Sequence, residues 1–345
     1  MPKIAALQMD AHPASTAERL ARAEALVTAA AAAGAQLVVL PELFNLGYAY
    51  HDDNFRRAEP RDGPTATWLQ ATAGRLNVHL AGSLLLRDHG DIYNTLLLCA
   101  PNRRVWRYDK RYPWAWERAY FRPGHGVTVA QTDLGAIGML ICWDVAHLEL
   151  WRRYAGQVDL LLIASCPPDA GRPVYHFPSG DRITVEQLGP LFRRLADAGR
   201  QTFDTLVRQQ AAWLGVPVVN STGCGSVTTP IPNGMASMLA MLPLAPRLLR
   251  YLPQTRHLHV TYTFVPCGQV VGADGAVLAA LTQAQGESFT VAAVALPATR
   301  PQPRGPQPAS PVPRPAYWIS DGLLPALVTP VYRRGARRAG GPPVL

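Results

Sequence analysis

Short apolar runs, each cut off by a turn residue or a charge, recur along this chain and limit its fold class more than any other feature. Ile4–Gln8, Leu37–Leu40, Val78–Leu86, Tyr93–Cys99, Arg103–Tyr108, Val127–Thr132, Ala136–Ile141 and Leu160–Ala164 read as strands, with Val216–Asn220, Gln269–Val271, Ala276–Ala280 and Phe289–Leu296 further on. Such runs are too short for buried helices and rich in strand-favouring side chains. Between them, Thr16–Gly34, Pro64–Leu76 and Ala146–Ala155 have helical periodicity, and Thr184–Leu214 reads as a long helical region broken near Gly189-Pro190 and Gly199. Strands and helices mixed in this way predict a layered α/β or α+β fold with a mixed sheet. No uninterrupted apolar run reaches about 18 residues, the length a spanning helix needs, and the N-terminus opens as a strand rather than a leader, so a cytoplasmic setting is expected.

Composition narrows the function. Cys99, Cys142, Cys166, Cys224 and Cys267 are odd in number and widely spaced, which indicates neither a disulfide framework nor a zinc knuckle. His257-x-His259 is the only close histidine pair, so no metal site and no cofactor are expected. The net charge of +9 is spread along the chain, without basic and aromatic residues interleaved on a nucleic-acid module. A solvated basic surface is the better reading. Of the 33 Lys plus Arg residues only Lys3 and Lys110 are lysines. A lysine kept where arginine is the habit points to a place that needs a compact ammonium, and Lys110 is the one inside the body of the sequence.

Three strands end in reactive side chains. Gly138-Met139-Leu140-Ile141 runs into Cys142-Trp143-Asp144, with a helix expected soon after. That turn presents backbone N–H groups to a thiolate or an oxyanion. Val38-Val39-Leu40-Pro41 delivers Glu42 to the rim of the sheet, where sites of α/β proteins gather. Trp106-Arg107-Tyr108-Asp109 delivers Lys110. On residue type alone, a buried structural cysteine is the commoner reading of Cys142 and an ordinary rim acid that of Glu42. A cysteine–histidine pair is the competing chemistry. His147 lies five residues past Cys142, about 140° around a helix and poorly placed, while His125 and His176 stay open.

The ordered motifs P-E-L-F at Glu42, Y-D-K-R at Lys110 and I-C-W-D at Cys142 resemble those of the nitrilase, or carbon–nitrogen hydrolase, superfamily, and the resemblance covers roughly Lys3 to Leu296. It implies a four-layer αββα sandwich and a Glu–Lys–Cys triad on Glu42, Lys110 and Cys142. It also implies a second glutamate, which Trp116-Glu117-Arg118 nominates as Glu117. The backbone N–H of Trp143 is the expected oxyanion donor, and Trp114, Asp144 and Cys166 are substrate-pocket candidates. Leu148, Ala273, Gly268 and His125 depart from the family's usual residues.

The expected chemistry is attack of the thiol on an amide, N-carbamoyl or nitrile carbon, through a thioester. Asp144 in C-W-D resembles amidase and carbamoylase branches, so a non-peptide amide or carbamoyl substrate is favoured over a nitrile. The alternatives are an N-acyltransferase using the same thioester and a non-enzymatic scaffold. The connection from Thr228 to Phe264 is longer than in most relatives. Its apolar part, Met235–Leu252, is expected to pack as a lid over the pocket, with an interfacial contact to lipid the less favoured reading. The core domain is expected to end near Leu296. Pro297–Pro315 reads as a poorly ordered Pro-rich linker, and 316–345 as a tail docking on the body or on a second subunit of a homodimer or larger homo-oligomer.

Overall fold

The computed structural model describes residues 1–188, 197–243 and 245–339. Strands β1 (Lys3–Asp10), β2 (Leu37–Val39), β3 (His79–Asp88), β4 (Asp91–Cys99) and β5 (Val105–Asp109) form one half of the main sheet. β6 (Val129–Thr132), β7 (Gly135–Ile141), β8 (Leu160–Ala164) and β11 (Val218–Cys224) form the other. The halves join where β1 meets β11, and only over Gln8–Asp10 and Thr222–Cys224. Before that point the strands diverge. Lys3–Gln8 pairs antiparallel with β16 (Ser288–Ala293), and Val218–Asn220 pairs with β14 (Gln269–Val271), itself a hairpin with β15 (Val277–Ala280).

Divergence lets the halves lie face to face. Alternate residues of a strand point to opposite faces, so Ile4 and Ala6 of β1 join the inner core with Leu37, Leu96, Ile137, Met139 and Val219. Ala5, Leu7 and Met9 point outward to the helices Thr16–Ala32 and Pro64–Leu76. The helices Leu148–Tyr154 and Val207–Leu214 cover the second half through Leu150, Trp151, Val207 and Ala211. The result is the four-layer αββα sandwich. Because both strand faces are buried, the strands read as continuous apolar runs, and each large aliphatic side chain buried this way stabilises the fold by roughly 1.5–3 kcal/mol.

A second, four-stranded sheet in the order β10–β9–β13–β12 sits beside the sandwich. It is built from β9 (Val174–His176), β10 (Arg182–Thr184), β12 (Ser226–Pro230) and β13 (His259–Thr263). The sequence expectation of a helix starting at Thr184 is corrected here. Thr184 closes a strand, paired across the sheet with Val174, and only Val185–Leu188 turns helical behind it. The expected break at Gly189-Pro190 lies outside the described residues. Gly199 breaks nothing, because residues 197–201 are helical and lead through a π-type turn at Thr202–Leu206 into Val207–Leu214.

The long connection is a hairpin, β12–β13, carrying two short helical pieces, Gly234–Met241 and Pro246–His257. No single helix runs over Met235–Leu252. Met238, Met241, Leu248 and Tyr251 are buried against the body, while Met235, Leu239 and Leu249 face outward. No helix among the described residues is long and apolar enough to cross a membrane.

From Pro297 to Ala339 the chain holds to the body rather than hanging from it. Arg304 N–H donates to Trp213 O (2.8 Å), the Trp213 indole donates to Gly305 O (3.1 Å) and Gln210 donates to Pro308 O (3.0 Å). Further on, helix Leu324–Arg338 packs Leu324, Val328, Tyr332 and Ala336 against the second core cluster. The Tyr332 hydroxyl donates to Asp91 (2.7 Å) and accepts from Ile92 N–H (3.0 Å).

Candidate active site

Four of the residues marked out by the sequence meet in one buried cluster. Lys110 Nζ donates to Glu42 Oε1 at 2.6 Å and to Glu117 Oε2 at 2.7 Å, with all three side chains essentially removed from solvent. Each arrives from a different element. Glu42 follows β2 into a turn pinned by Leu40 N–H to Ala81 O (2.8 Å), and Leu43 N–H donates to Ser83 Oγ (2.8 Å). Lys110 follows β5, its own N–H donating to Asn94 O and its carbonyl accepting from Gly124 N–H, both at 2.8 Å. A Cβ at Gly124 would collide with the Asp109 carbonyl, so this approach requires glycine. Glu117 lies in the 3₁₀ turn Ala115–Ala119 and accepts from Trp114 N–H (2.7 Å) and the Tyr48 hydroxyl (2.8 Å).

Cys142 closes β7 and opens the 3₁₀ turn Cys142–Ala146 with φ of 46°. A non-glycine residue in this left-handed region is strained by roughly 1–2 kcal/mol and needs its surroundings to hold it. Asp144 does much of that holding. It accepts from Ile141 N–H (3.1 Å) and the Tyr108 hydroxyl (2.8 Å) on one oxygen, and from Tyr112 N–H (2.8 Å) on the other. The Cys142 turn is thereby tied to β5 and to the loop after Lys110.

Electrostatics set the resting protonation. Burial, followed by the Glu42 charge, pushes the Cys142 thiol well above its usual range despite the opposing pull of Lys110. The group rests as a thiol. Burial also works against the Lys110 charge, but Glu117 and Glu42 outweigh it and hold the ammonium protonated well above its ordinary range. Burial raises Glu117 against the lowering influence of Lys110. Glu42 Oε1 takes both Lys110 and the Asn94 amide (2.8 Å), while buried Glu42 Oε2 makes no hydrogen bond. A buried carboxylate oxygen with an open lone pair can take a proton.

A cavity of about 170 Å³ opens in front of Cys142. Trp114 and Trp143 line it, whereas Asp144 and Cys166 do not. Three donors hold the Asp144 carboxylate between Tyr108, Tyr112 and the Ile141 N–H. The Cys166 thiol lies against Gly223, while its backbone hydrogen-bonds the Cys142 thiol. Neither His125, which is exposed, nor His176, bonded to Thr261 (2.8 Å), joins the cluster. His147 stacks on Tyr112 with ring centres 3.5 Å apart, and burial holds it neutral with a pKa of about 3.

The sequence reading missed Asn94, Tyr48 and the tail's place in the cavity wall. Asn94 and Tyr48 are unremarkable in sequence, although N-T in β4 and G-Y-A-Y after P-E-L-F are polar interruptions of apolar runs. The tail supplies Val312, Ala316, Ile319 and Leu324 to the cavity wall. Its Asp321 accepts from the Trp143 indole at 2.9 Å, and burial raises that carboxyl to about 6. Among the described residues no cluster of side chains has the makings of a metal site.

Asp144→Asn should separate a structural role from a pocket role. The amide offers one acceptor where three donors converge, so a loss of about 1–3 kcal/mol in urea unfolding is expected. A raised KM with unchanged stability would instead put Asp144 against substrate.

The carbon–nitrogen hydrolase family profile matches residues 3–304. The chain belongs to that family, and the match runs past the boundary expected at Leu296. Among curated relatives it is 31% identical to a nitrilase of Pyrococcus abyssi over 42% of this chain and 56% of that one. It is 32% identical to the omega-amidase NIT2 of Danio rerio over 43% and 57%, and 35% identical to N-carbamoylputrescine amidase of Arabidopsis thaliana over 44% and 56%. The chain spans about half the length of the curated relatives it matches. Among solved structures, the amidase from Nesterenkonia sp. AN1 superposes with a TM-score of 0.61 at 20% identity, covering 87% of this chain and 95% of that one. A CN-hydrolase superfamily protein from Xanthomonas campestris does so with 0.59 at 19%, covering 84% and 89%. At such identity these two speak for the fold.

Proposed function

We propose that this protein hydrolyses a non-peptide carbon–nitrogen bond, in an amide or an N-carbamoyl amine, with Cys142 as nucleophile. The observation that carries the proposal is the Lys110 ammonium held between Glu42 and Glu117 in a buried cluster, with Glu42 Oε2 left open. Glu42 takes the thiol proton as sulfur attacks the carbonyl carbon. Lys110 and the Trp143 backbone N–H stabilise the oxyanion, a role in which one donor is worth roughly 10²–10³ in rate. Collapse expels ammonia or an amine, which receives its proton from Glu42. Water, deprotonated by the same carboxylate, then cleaves the thioester to release the acid and the thiol. Glu117, anchored by Tyr48 and Trp114, keeps Lys110 charged and aimed. The raised thiol supports the need for a base in the first step.

The test is ammonia release from a panel of primary amides, N-carbamoyl amines and nitriles. Turnover of amides or carbamoyl amines above that of nitriles is expected. Turnover of nitriles alone would move the reading to the nitrilase branch.

A further inference from the structure

The wall of the cavity says what kind of acyl group the site admits. Of the 22 described residues that line it, none is Asp, Glu, Lys, Arg or His. Trp114, Trp116, Trp143, Phe203 and Met241 give it large apolar faces. Four of its polar side-chain groups are committed, while the Tyr262 hydroxyl is buried without a hydrogen bond. The Trp143 indole donates to Asp321 (2.9 Å), the Trp116 indole to Ser237 (3.0 Å), the Tyr48 hydroxyl to Glu117 (2.8 Å) and the Ser320 hydroxyl to Ala316 O (2.8 Å). Burial pushes the Tyr175 and Tyr262 phenols up, so they stay neutral.

Two cations near the lining are paired. Arg200, beside lining residue Gly199, is bound to Asp169 at 3.1 Å, and Lys110 is shared by its two glutamates. A carboxylate or ammonium on the far end of a substrate would therefore meet no counter-ion among the described residues that line the cavity. Burying an unpaired charge is strongly unfavourable, whereas an apolar group gains from leaving water. The volume, about 170 Å³, is close to the roughly 150 Å³ of an apolar cavity that accommodates benzene.

We infer that the substrate's acyl group is uncharged and apolar, an aryl or medium-length alkyl chain, and that the C-terminal tail contributes to this selection through Val312, Ala316, Ile319 and Leu324. The inference rests on the hydrolase reading for turnover but not for binding, and the experiment separates the two. Hexanamide and benzamide are compared with adipamate, which carries a far carboxylate, and with 6-aminohexanamide. The readouts are kcat/KM in the wild-type protein and calorimetric binding to Cys142→Ala. The expected result is at least a 100-fold preference for the neutral pair in both. Equal binding of adipamate or 6-aminohexanamide, or no binding of the neutral amides, would overturn the inference. Neutral-selective binding without turnover by the wild-type protein would uphold it and refute the hydrolase reading instead.

A variant provides the converse. Ile319→Arg, on the tail and outside the proposed catalytic cluster, should shift the adipamate-to-hexanamide ratio at least tenfold toward adipamate. An unchanged ratio in a folded variant would remove the tail from the selection.

Discussion

Replacing Cys142 by alanine is expected to reduce ammonia release by roughly 10⁴-fold or more, the scale on which loss of a nucleophile acts. The change is mild structurally. Alanine keeps the Cβ, and the strained turn is held by the Asp144 hydrogen bonds rather than by sulfur. The four remaining thiols should not substitute. Burial pushes Cys99, Cys224 and Cys267 up to about 12 and raises Cys166 as well. None of the four lines the cavity. Near-normal activity in Cys142→Ala, with an unchanged unfolding midpoint, would show that this thiol is not the nucleophile.

Lys110→Met is expected to cost both activity and stability. Loss of the oxyanion donor alone predicts a fall of roughly 10²–10³ in kcat. The same change leaves Glu42 and Glu117 buried together without their shared cation. Removing one partner of a buried ionic cluster typically costs about 3–5 kcal/mol, and two carboxylates in one site force a proton onto the pair. The proposed base would then be partly occupied, deepening the loss. Lys110→Met/Glu117→Gln distinguishes these contributions: it should recover much of the stability, read by urea unfolding, while activity stays low. Lys110→Arg should not rescue activity, because the enclosed site was read from the lysine-poor composition as needing a compact ammonium. Recovery of activity in the double variant would contradict the assignment of Lys110 to the oxyanion.

Much of the site was legible because its chemistry sits at strand ends. An apolar run that stops at Glu42, Lys110 or Cys142 carries its own address, and the scarcity of lysine singled out the cation. Asn94 carried no such mark, because a polar residue inside β4 looks like any alternation until the strand is registered against β5 and Lys110 N–H is found on its carbonyl. Asp144 was visible, but its partners were not. Its neighbour Trp143 faces the cavity, while the tight turn after Cys142 sends the carboxylate toward Tyr108 and Tyr112.

The layered sandwich was likewise readable from runs such as Leu160–Ala164, whose every residue is buried. The second sheet was not. Val174–His176 is a strand because β10 pairs with one edge and β13, more than eighty positions later in the chain, with the other. Thr184 reads as the start of a helix unless that distant pairing is known. The tail was hidden for a related reason. Its proline-rich composition matches a free linker, yet its hydrogen bonds to Trp213, Gln210 and Leu148 depend on where the helices of the second half end.

The most direct test of the account is to trap the covalent intermediate. The wild-type protein is mixed with a hydrophobic primary amide, quenched in acid within the first turnovers and digested for peptide mass mapping. The account predicts a mass increase equal to the acyl group on the peptide that contains Cys142, absent from Cys142→Ala. Ammonia release with the acyl group on Cys166 or Cys224, or with no acyl group on any cysteine under conditions of a measured burst, would contradict it.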